Sequence, residues 1–236
     1  MHKNKKIISD FIDYLCNIRR YSKNTLKAYE LDLGRLLTYI EKTEERSVLD
    51  LDSSFIQDYL VQLSKRKINV RTFHRNLSSI KSFFKFLEKY EFIQTNITKG
   101  IRYPKLPIRV PNYLTVDDMK RLLKYPTGDN YMGFRDRLIL ELFYASGLRI
   151  SELVAIKLSD INIEDCTIKV LGKGQKSRIS IFGKTAQKIL KGYLKLLSKE
   201  PLYCKSSYLF PTRRKTMIKE DFHLSVRRVY GIVKKY

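Results

Sequence analysis

Ala145-Ser-Gly-Leu-Arg-Ile-Ser-Glu-Leu153 comes directly after an apolar run, Arg137-Leu-Ile-Leu-Glu-Leu-Phe-Tyr144. The run has the length and composition of a buried helix. Gly147 lies just past it, where a helix commonly ends because glycine enters the left-handed region without a Cβ penalty. Ser151 is expected to N-cap a short second helix. Arg149 then sits in a tight turn between two helices. A guanidinium held this way in a basic chain can grip a phosphate bidentately. Taken alone, the same turn also suits an ordinary surface arginine.

A second stretch bears on that choice. Cys166-Thr-Ile-Lys-Val-Leu-Gly-Lys-Gly-Gln-Lys-Ser-Arg-Ile-Ser-Ile-Phe182 has two β-branched runs around Gly172-Lys-Gly-Gln175, the pattern of a β-hairpin. Lys173 stands at its tip, between two glycines, with Lys176 and Arg178 on the returning strand. The two stretches, in this order, resemble the catalytic domain of the tyrosine recombinases, and within them the Xer subgroup, which resolves chromosome dimers. That family carries its first catalytic arginine in a Ser-Gly-Leu-Arg-Ile-Ser-Glu-Leu sequence and its catalytic lysine on such a hairpin. The resemblance assigns these roles to Arg149 and Lys173, with Glu152 as the supporting acidic residue.

The resemblance implies phosphoryl transfer at double-stranded DNA. A tyrosine hydroxyl attacks the scissile phosphate, giving a 3′-phosphotyrosine and a free 5′-hydroxyl, and the reverse step joins a partner duplex. The phosphodiester energy is kept in the covalent link, so no cofactor is expected. Fixed guanidinium groups can stabilise the charge of the transition state without a metal. Arg149 would be one such clamp, Lys173 the general acid for the leaving 5′-oxygen, and Glu152 an orienting group. The family also uses a His-x-x-Arg element, a later His or Trp, and the nucleophilic tyrosine. None has a counterpart at a matching position here. His223-Leu-Ser-Val-Arg227 has one residue too many, and the Val-Lys-Lys-Tyr236 ending resembles the helix before that motif. The expectation is a C-terminally truncated member with an incomplete active site. The alternative is a non-catalytic DNA-binding protein derived from a recombinase.

Charge agrees with a nucleic-acid partner. The 236 residues carry 47 Lys plus Arg against 24 Asp plus Glu, a net charge of +23. The excess is concentrated in 101–236, which has 28 basic and 12 acidic residues, against 19 and 12 in 1–100. Such a balance is the footprint of a polyanion binder. An unrelated RNA-binding protein would fit the charge too, but no RNA module is recognisable. Cys16, Cys166 and Cys204 are odd in number and match no metal-site spacing, so they are expected to be reduced thiols in a cytoplasmic protein. Asp10 and Asp13 interrupt any secretory apolar segment, and no run approaches the roughly 20 apolar residues of a membrane span.

The fold expected is mainly α. Helical periodicity marks four amphipathic helices, beginning near residues 7, 22, 54 and 70, as a bundle over 1–99. Ile7, Phe11, Leu15 and Ile18 lie on the first core face. Ser54-Phe-Ile-Gln57 is read as a capping box. The aromatic stripe Phe73, Phe83 and Phe84 keeps the 3.6-residue period and is read as core. Tyr21-Ser-Lys-Asn-Thr-Leu-Lys-Ala-Tyr29 resembles the start of the Xer core-binding domain. Lys23, Lys27, Arg71, Arg75, Lys81 and Lys85 lie off the apolar faces and are DNA-contact candidates, with a merely solvated face as the other reading. His74, among them, is read as structural. Pro104, Pro107 and Pro111 mark a connector over 98–113. Residues 114–236 should form a mostly α catalytic-type domain with a small three-stranded antiparallel sheet near 161–163, 166–171 and 177–182. It opens on a capping box, Thr115-Val-Asp-Asp118, and closes with a helix over 219–235. Lys176 and Arg178 complete the DNA-contact set. The partners expected are double-stranded DNA and a second recombinase of the same family, with no membrane.

Overall fold

The computed structural model describes residues 2–43, 46–66, 68–105, 113–172, 176–212 and 222–236. They divide into two compact units, Met1–Val110 and Pro111–Tyr236. Among the described residues no helix is long and apolar enough to cross a membrane.

Unit 1 contains α1 (His2–Asp13), α2 (Lys23–Thr43), α3 (Ser53–Lys65) and α4 (Val70–Lys89). Phe11, Leu33, Ile56, Leu77, Ile80 and Phe83 are fully enclosed between them, so the aromatic stripe of α4 is core, as its period indicates. Ile18 departs from expectation and is exposed. A π-helical turn at Tyr14–Ile18 takes up an extra residue and rotates the end of the helix off the core face. The cap of α3 is also corrected. Asp52, not Ser54, accepts from the Phe55 N–H at 2.8 Å, and the Ser54 hydroxyl bonds to the same carboxylate oxygen. An ionised carboxylate is the stronger acceptor for an orphan helix N–H.

Within the α2–α4 seam lies a buried charge. Asp32, 0% exposed, takes Arg75 Nη1 at 2.7 Å and Ser79 Oγ at 2.9 Å on Oδ2. Its Oδ1 takes Asn76 Nδ2 at 3.3 Å and lies 3.7 Å from Arg35 Nη1. The chain after α4 stays with this unit for some way. Thr98 and Ile101 are buried, Lys99 pairs with Glu88 at 2.6 Å, and His74 Nε2 donates to the Pro104 carbonyl at 2.6 Å. The Tyr103 ring lies 5.2 Å from His74 and under Lys81. His74 is thus a structural residue, holding the first part of the expected connector on α4. Residues 106–112 of that connector lie outside the described residues.

Unit 2 opens with α5 (Val116–Lys124), where Thr115 and Asp118 form the expected capping box. Then come α6 (Tyr131–Ser146), α7 (Ile150–Val154), β1 (Ile161–Asn162), β2 (Thr167–Leu171), β3 (Ser177–Ile181) and α8 (Lys184–Leu197). The three strands form one antiparallel sheet in the order β1-β2-β3, with Val170 opposite Arg178. Two short strands, β4 (Pro211–Thr212) and β5 (Phe222–His223), pair separately and precede α9 (Val226–Lys235). The final helix therefore starts later than the expected 219, because residues 222–223 are extended and Ser225 caps the helix through the Arg228 N–H. Leu138, Leu142, Leu153, Ile168, Leu190 and Tyr193 lie in the core of this unit. Gly192 of α8 carries the Phe134 ring of α6. A Cβ there would stand 2.5 Å from Phe134 Cε1, so the ring occupies a notch that only glycine provides.

Candidate active site

Gly147 ends α6 at φ 56°, its N–H bonding to the Phe143 carbonyl. The Ser146 carbonyl, one of those a helix end leaves without a partner, accepts from Ser180 Oγ of β3 at 2.9 Å. Leu148 and Leu153 on either side of Arg149 are buried. The turn is thereby fixed by a left-handed residue, a strand and two apolar anchors.

The expected Ser151 cap does not form. Arg149 itself takes the N-cap position of α7, and Glu152, three residues on, reaches back to its N–H at 2.9 Å through Oε2. This is the returning half of a capping box, and it leaves Ser151 exposed. Glu152 Oε1 also accepts from Arg149 Nη1 at 2.8 Å, and Oε2 accepts from Arg178 Nη2 at 2.7 Å. The Glu152 side chain is 3% exposed, whereas those of Arg149 and Arg178 are 67% and 39% exposed. Burial alone would push the Glu152 carboxyl up. The Arg149 N–H, the Arg149 guanidinium and Arg178 outweigh it, and the group lies below the usual carboxylate range.

Arg178 reaches Glu152 because of the alternation along β3. Arg178 and Ser180 point inward to Glu152 and to the end of α6, while Ile179 and Ile181 are exposed. The base of the hairpin closes nearby. Gly172 N donates to the Lys176 carbonyl at 2.8 Å, and a Cβ on Gly172 would lie 3.8 Å from Glu152 Oε1. Lys173 lies outside the described residues. Lys176 is exposed beside the hairpin end, and a cavity of about 300 Å³ opens next to it, lined by Glu152, Lys157, Lys169 and Ser177 among others. The arrangement is one buried anion holding two guanidinium groups whose remaining N–H donors face solvent. Such a pair can receive a phosphate with little reorganisation.

The other candidates are distributed through unit 1. Lys23, Lys27 and Arg71 are exposed, Lys81 is half-buried against Tyr103, and Arg75 is committed in part to Asp32. His223 stands apart from the Glu152 group. Its Nδ1 donates to the Leu224 carbonyl at 2.7 Å and its ring meets Tyr208, at a separate cavity of about 790 Å³ that also includes Arg135 and Arg228. The Tyr236 hydroxyl donates to Asp136 Oδ2 at 3.0 Å and accepts from Lys235 Nζ at 2.9 Å. Sequence reading missed the Asp32 network and the closure of Arg178 on Glu152. The second had a signal: Arg178 and Ser180 fall on the same face of a strand whose other face is apolar.

Residues 112–236 match the model of the phage integrase family, and residues 8–91 match that of the phage integrase N-terminal SAM-like domain. The tyrosine recombinase XerC of Chlamydia muridarum is 39% identical over an alignment of 202 residues that covers 78% of this chain and 64% of that protein. XerC of Thermodesulfovibrio yellowstonii is 34% identical over 233 residues, covering 97% of this chain and 74% of that protein. The chain thus spans 64% of the length of its Chlamydia relatives. A lambda integrase dimer bound to a COC′ core site superposes with a TM-score of 0.69 at 18% identity, over 98% of this chain and 76% of that one. XerH recombinase bound to a palindromic difH substrate gives 0.65 at 19%, over 92% and 65%. At these identities the two structures speak for the fold.

Proposed function

Because the chain belongs to the phage integrase family, as a Xer-type tyrosine recombinase, we propose that it binds double-stranded DNA and contributes to site-specific breakage and rejoining. The observation that carries this reading is the exposed Arg149 guanidinium, fixed on buried Glu152 beside Arg178. In this proposal Arg149 clamps the scissile phosphate and offsets charge as the transition state forms. Glu152 sets its orientation, and Lys173 protonates the leaving 5′-oxygen. Lys23, Lys27, Arg71, Arg75, Lys81, Lys176 and Arg178 would neutralise backbone phosphates. No cofactor takes part. The relatives crystallised as dimers on DNA support a second recombinase as partner.

The engagement of the Tyr236 hydroxyl with Asp136 and Lys235 favours a second reading, in which these 236 residues grip DNA without cutting it. A suicide substrate nicked beside the scissile phosphate separates the two. Incubated with the purified chain and resolved on a denaturing gel, it gives a covalent protein–DNA band under the first reading and none under the second. A band that vanishes in Tyr236→Phe would make Tyr236 the nucleophile and establish cleavage. Under either reading Arg149→Ala should weaken duplex binding by about tenfold, the loss of one charge-assisted phosphate contact.

A further inference from the structure

The cavity of about 790 Å³ beside His223 lies toward the start of α6, away from the Arg149 turn. At about 1.5 Å per residue the helix rises roughly 17 Å between Arg135 and Ser146, so this cavity is separate from the Glu152 group. Its volume is within the range of about 300–1,000 Å³ that holds small organic ligands. Among the described residues no carboxylate lines it, whereas Arg135, Arg228 and His223 do. Arg135 is fixed in place. Its side chain is 7% exposed, and Nε and Nη2 donate to Asp136 Oδ1 at 2.9 and 2.6 Å. Asp136 is held in turn on Oδ2 by the Tyr236 hydroxyl. Among the described residues Nη1 is the one guanidinium nitrogen of Arg135 without a hydrogen bond, so its two N–H donors are left to a partner inside the cavity. The α9 helix begins here too. Leu224, Ser225 and Arg228 line the cavity, and Ser225 caps the helix through the Arg228 N–H, which adds the positive end of a helix dipole. The remaining wall is aromatic. Tyr131 stacks on Tyr203 with ring centroids 5.6 Å apart, and Tyr208 meets the His223 ring edge-on at 5.0 Å.

These two kinds of wall suit two parts of one ligand. The Nε–Nη2 edge of Arg135 is the fork that would hold a carboxylate, and Asp136 already occupies it. Donors remain on Arg135 Nη1, on Arg228 and, in the imidazolium form, on His223 Nε2, since His223 Nδ1 is spent on the Leu224 carbonyl. Three separate donors match the three oxygens of a phosphoryl group. A bare phosphate would fill only a small part of the cavity, and a planar ring against the tyrosines fills the rest. We propose that this cavity binds a free nucleoside monophosphate, with the phosphate on Arg135, Arg228 and His223 and the base against the tyrosines. Bases of intact duplex are stacked inside the helix and do not reach such a wall.

The test is isothermal titration calorimetry of the full chain with adenosine 5′-monophosphate, and with adenosine and inorganic phosphate separately. The monophosphate should bind at least about tenfold tighter than either fragment, since only it engages both walls. Arg135→Gln strands Asp136 and lowers stability as well, so the exposed Arg228 carries the test. Arg228→Gln keeps the backbone cap and should weaken the monophosphate about tenfold, the loss of one charge-assisted contact. Lys184→Gln, the same charge change at an exposed position on α8, should leave it unchanged. Tyr208→Ala should weaken the monophosphate without altering the binding of inorganic phosphate. Failure to bind, equal affinities for the monophosphate and inorganic phosphate, or equal losses in Arg228→Gln and Lys184→Gln would overturn the site, leaving only the general attraction of a +23 chain for anions. Displacement of the monophosphate by a 5′-phosphorylated single strand, and not by the same strand with a 5′-hydroxyl, would overturn the free nucleotide and give the site to a strand end.

Discussion

Asp32 in unit 1 and Glu152 in unit 2 are both buried carboxylates gripping two arginines, yet the arginines differ in how much they are left to do. Asp32 takes donors from α4, three of them side chains within one turn, Arg75, Asn76 and Ser79. It binds α2 to α4, and Arg75 is part of that joint. Glu152 closes on its own turn through the Arg149 N–H and takes Arg178 from the neighbouring strand. Arg149 contributes to this closure through its backbone N–H and through Nη1, and its side chain still stands 67% exposed. The lesson is that one ion-pair chemistry can serve as scaffold or as tool, and the carboxylate's other donors decide which. Where helix side chains complete the carboxylate, the arginine carries stability. Where a backbone N–H does so, the guanidinium is tethered by one nitrogen and stays largely exposed.

The sharpest way to break this contrast is a pair of substitutions. Arg75→Ala leaves Asp32 charged and buried with neutral donors and a more distant Arg35, and should cost unit 1 about 3 kcal/mol, the lower end for a broken buried pair because Arg75 is partly solvated. Arg149→Ala should cost unit 2 less than about 1 kcal/mol, as expected of an exposed pair, since the backbone bond and Arg178 remain. Equal losses in denaturant unfolding would end the distinction. Next in size, Ser180→Ala removes the donor to the Ser146 carbonyl and should cost unit 2 about 1 kcal/mol, with a loss of DNA affinity that Ser180→Thr restores. No loss of affinity would mean that the end of α6 does not set the position of Arg149.

The smallest effect expected is one of pH. The Glu152 carboxyl lies below its ordinary value in the folded chain, so the stability it contributes is present above about pH 4.3, the unfolded value, and is lost as pH falls through the lower folded value. The stability difference between wild type and Glu152→Gln should therefore be constant near neutrality and shrink below about pH 4.3. A difference that grows in acid would show that burial outweighs the two arginines.

Much of the architecture is legible in the sequence where the determinant is local. Gly147, the Thr115 box, the strand alternation of 167–181 and the α4 stripe each carry their meaning within a few residues. The caps misread at Ser54 and Ser151 show the limit of such signals. In both places a carboxylate one or two positions away, Asp52 or Glu152, is the better acceptor, and residue type alone does not rank neighbours. Asp32 is opaque for another reason. Flanked by Leu31 and Leu33, it has no local mark of burial, and its hydrogen-bonding partners lie more than 40 residues on, so its role exists only after α2 meets α4. Arg178 stands between these cases, since its strand face is legible and its target is not. Lys173, the clearest expectation of all, lies outside the described residues.

The Phe134 ring seated on bare Gly192 has a consequence for accuracy. Two packed helices can slip along one another, and a slip of a single helical turn displaces everything beyond by about 5.4 Å, more than the length of any hydrogen bond. A ring in a notch permits one longitudinal setting. Because α6 runs from Phe134 straight to Gly147, that setting is handed on to the turn beyond the helix end. The setting of Arg149 is thus fixed at the far end of the preceding helix, by a glycine that has no side chain of its own.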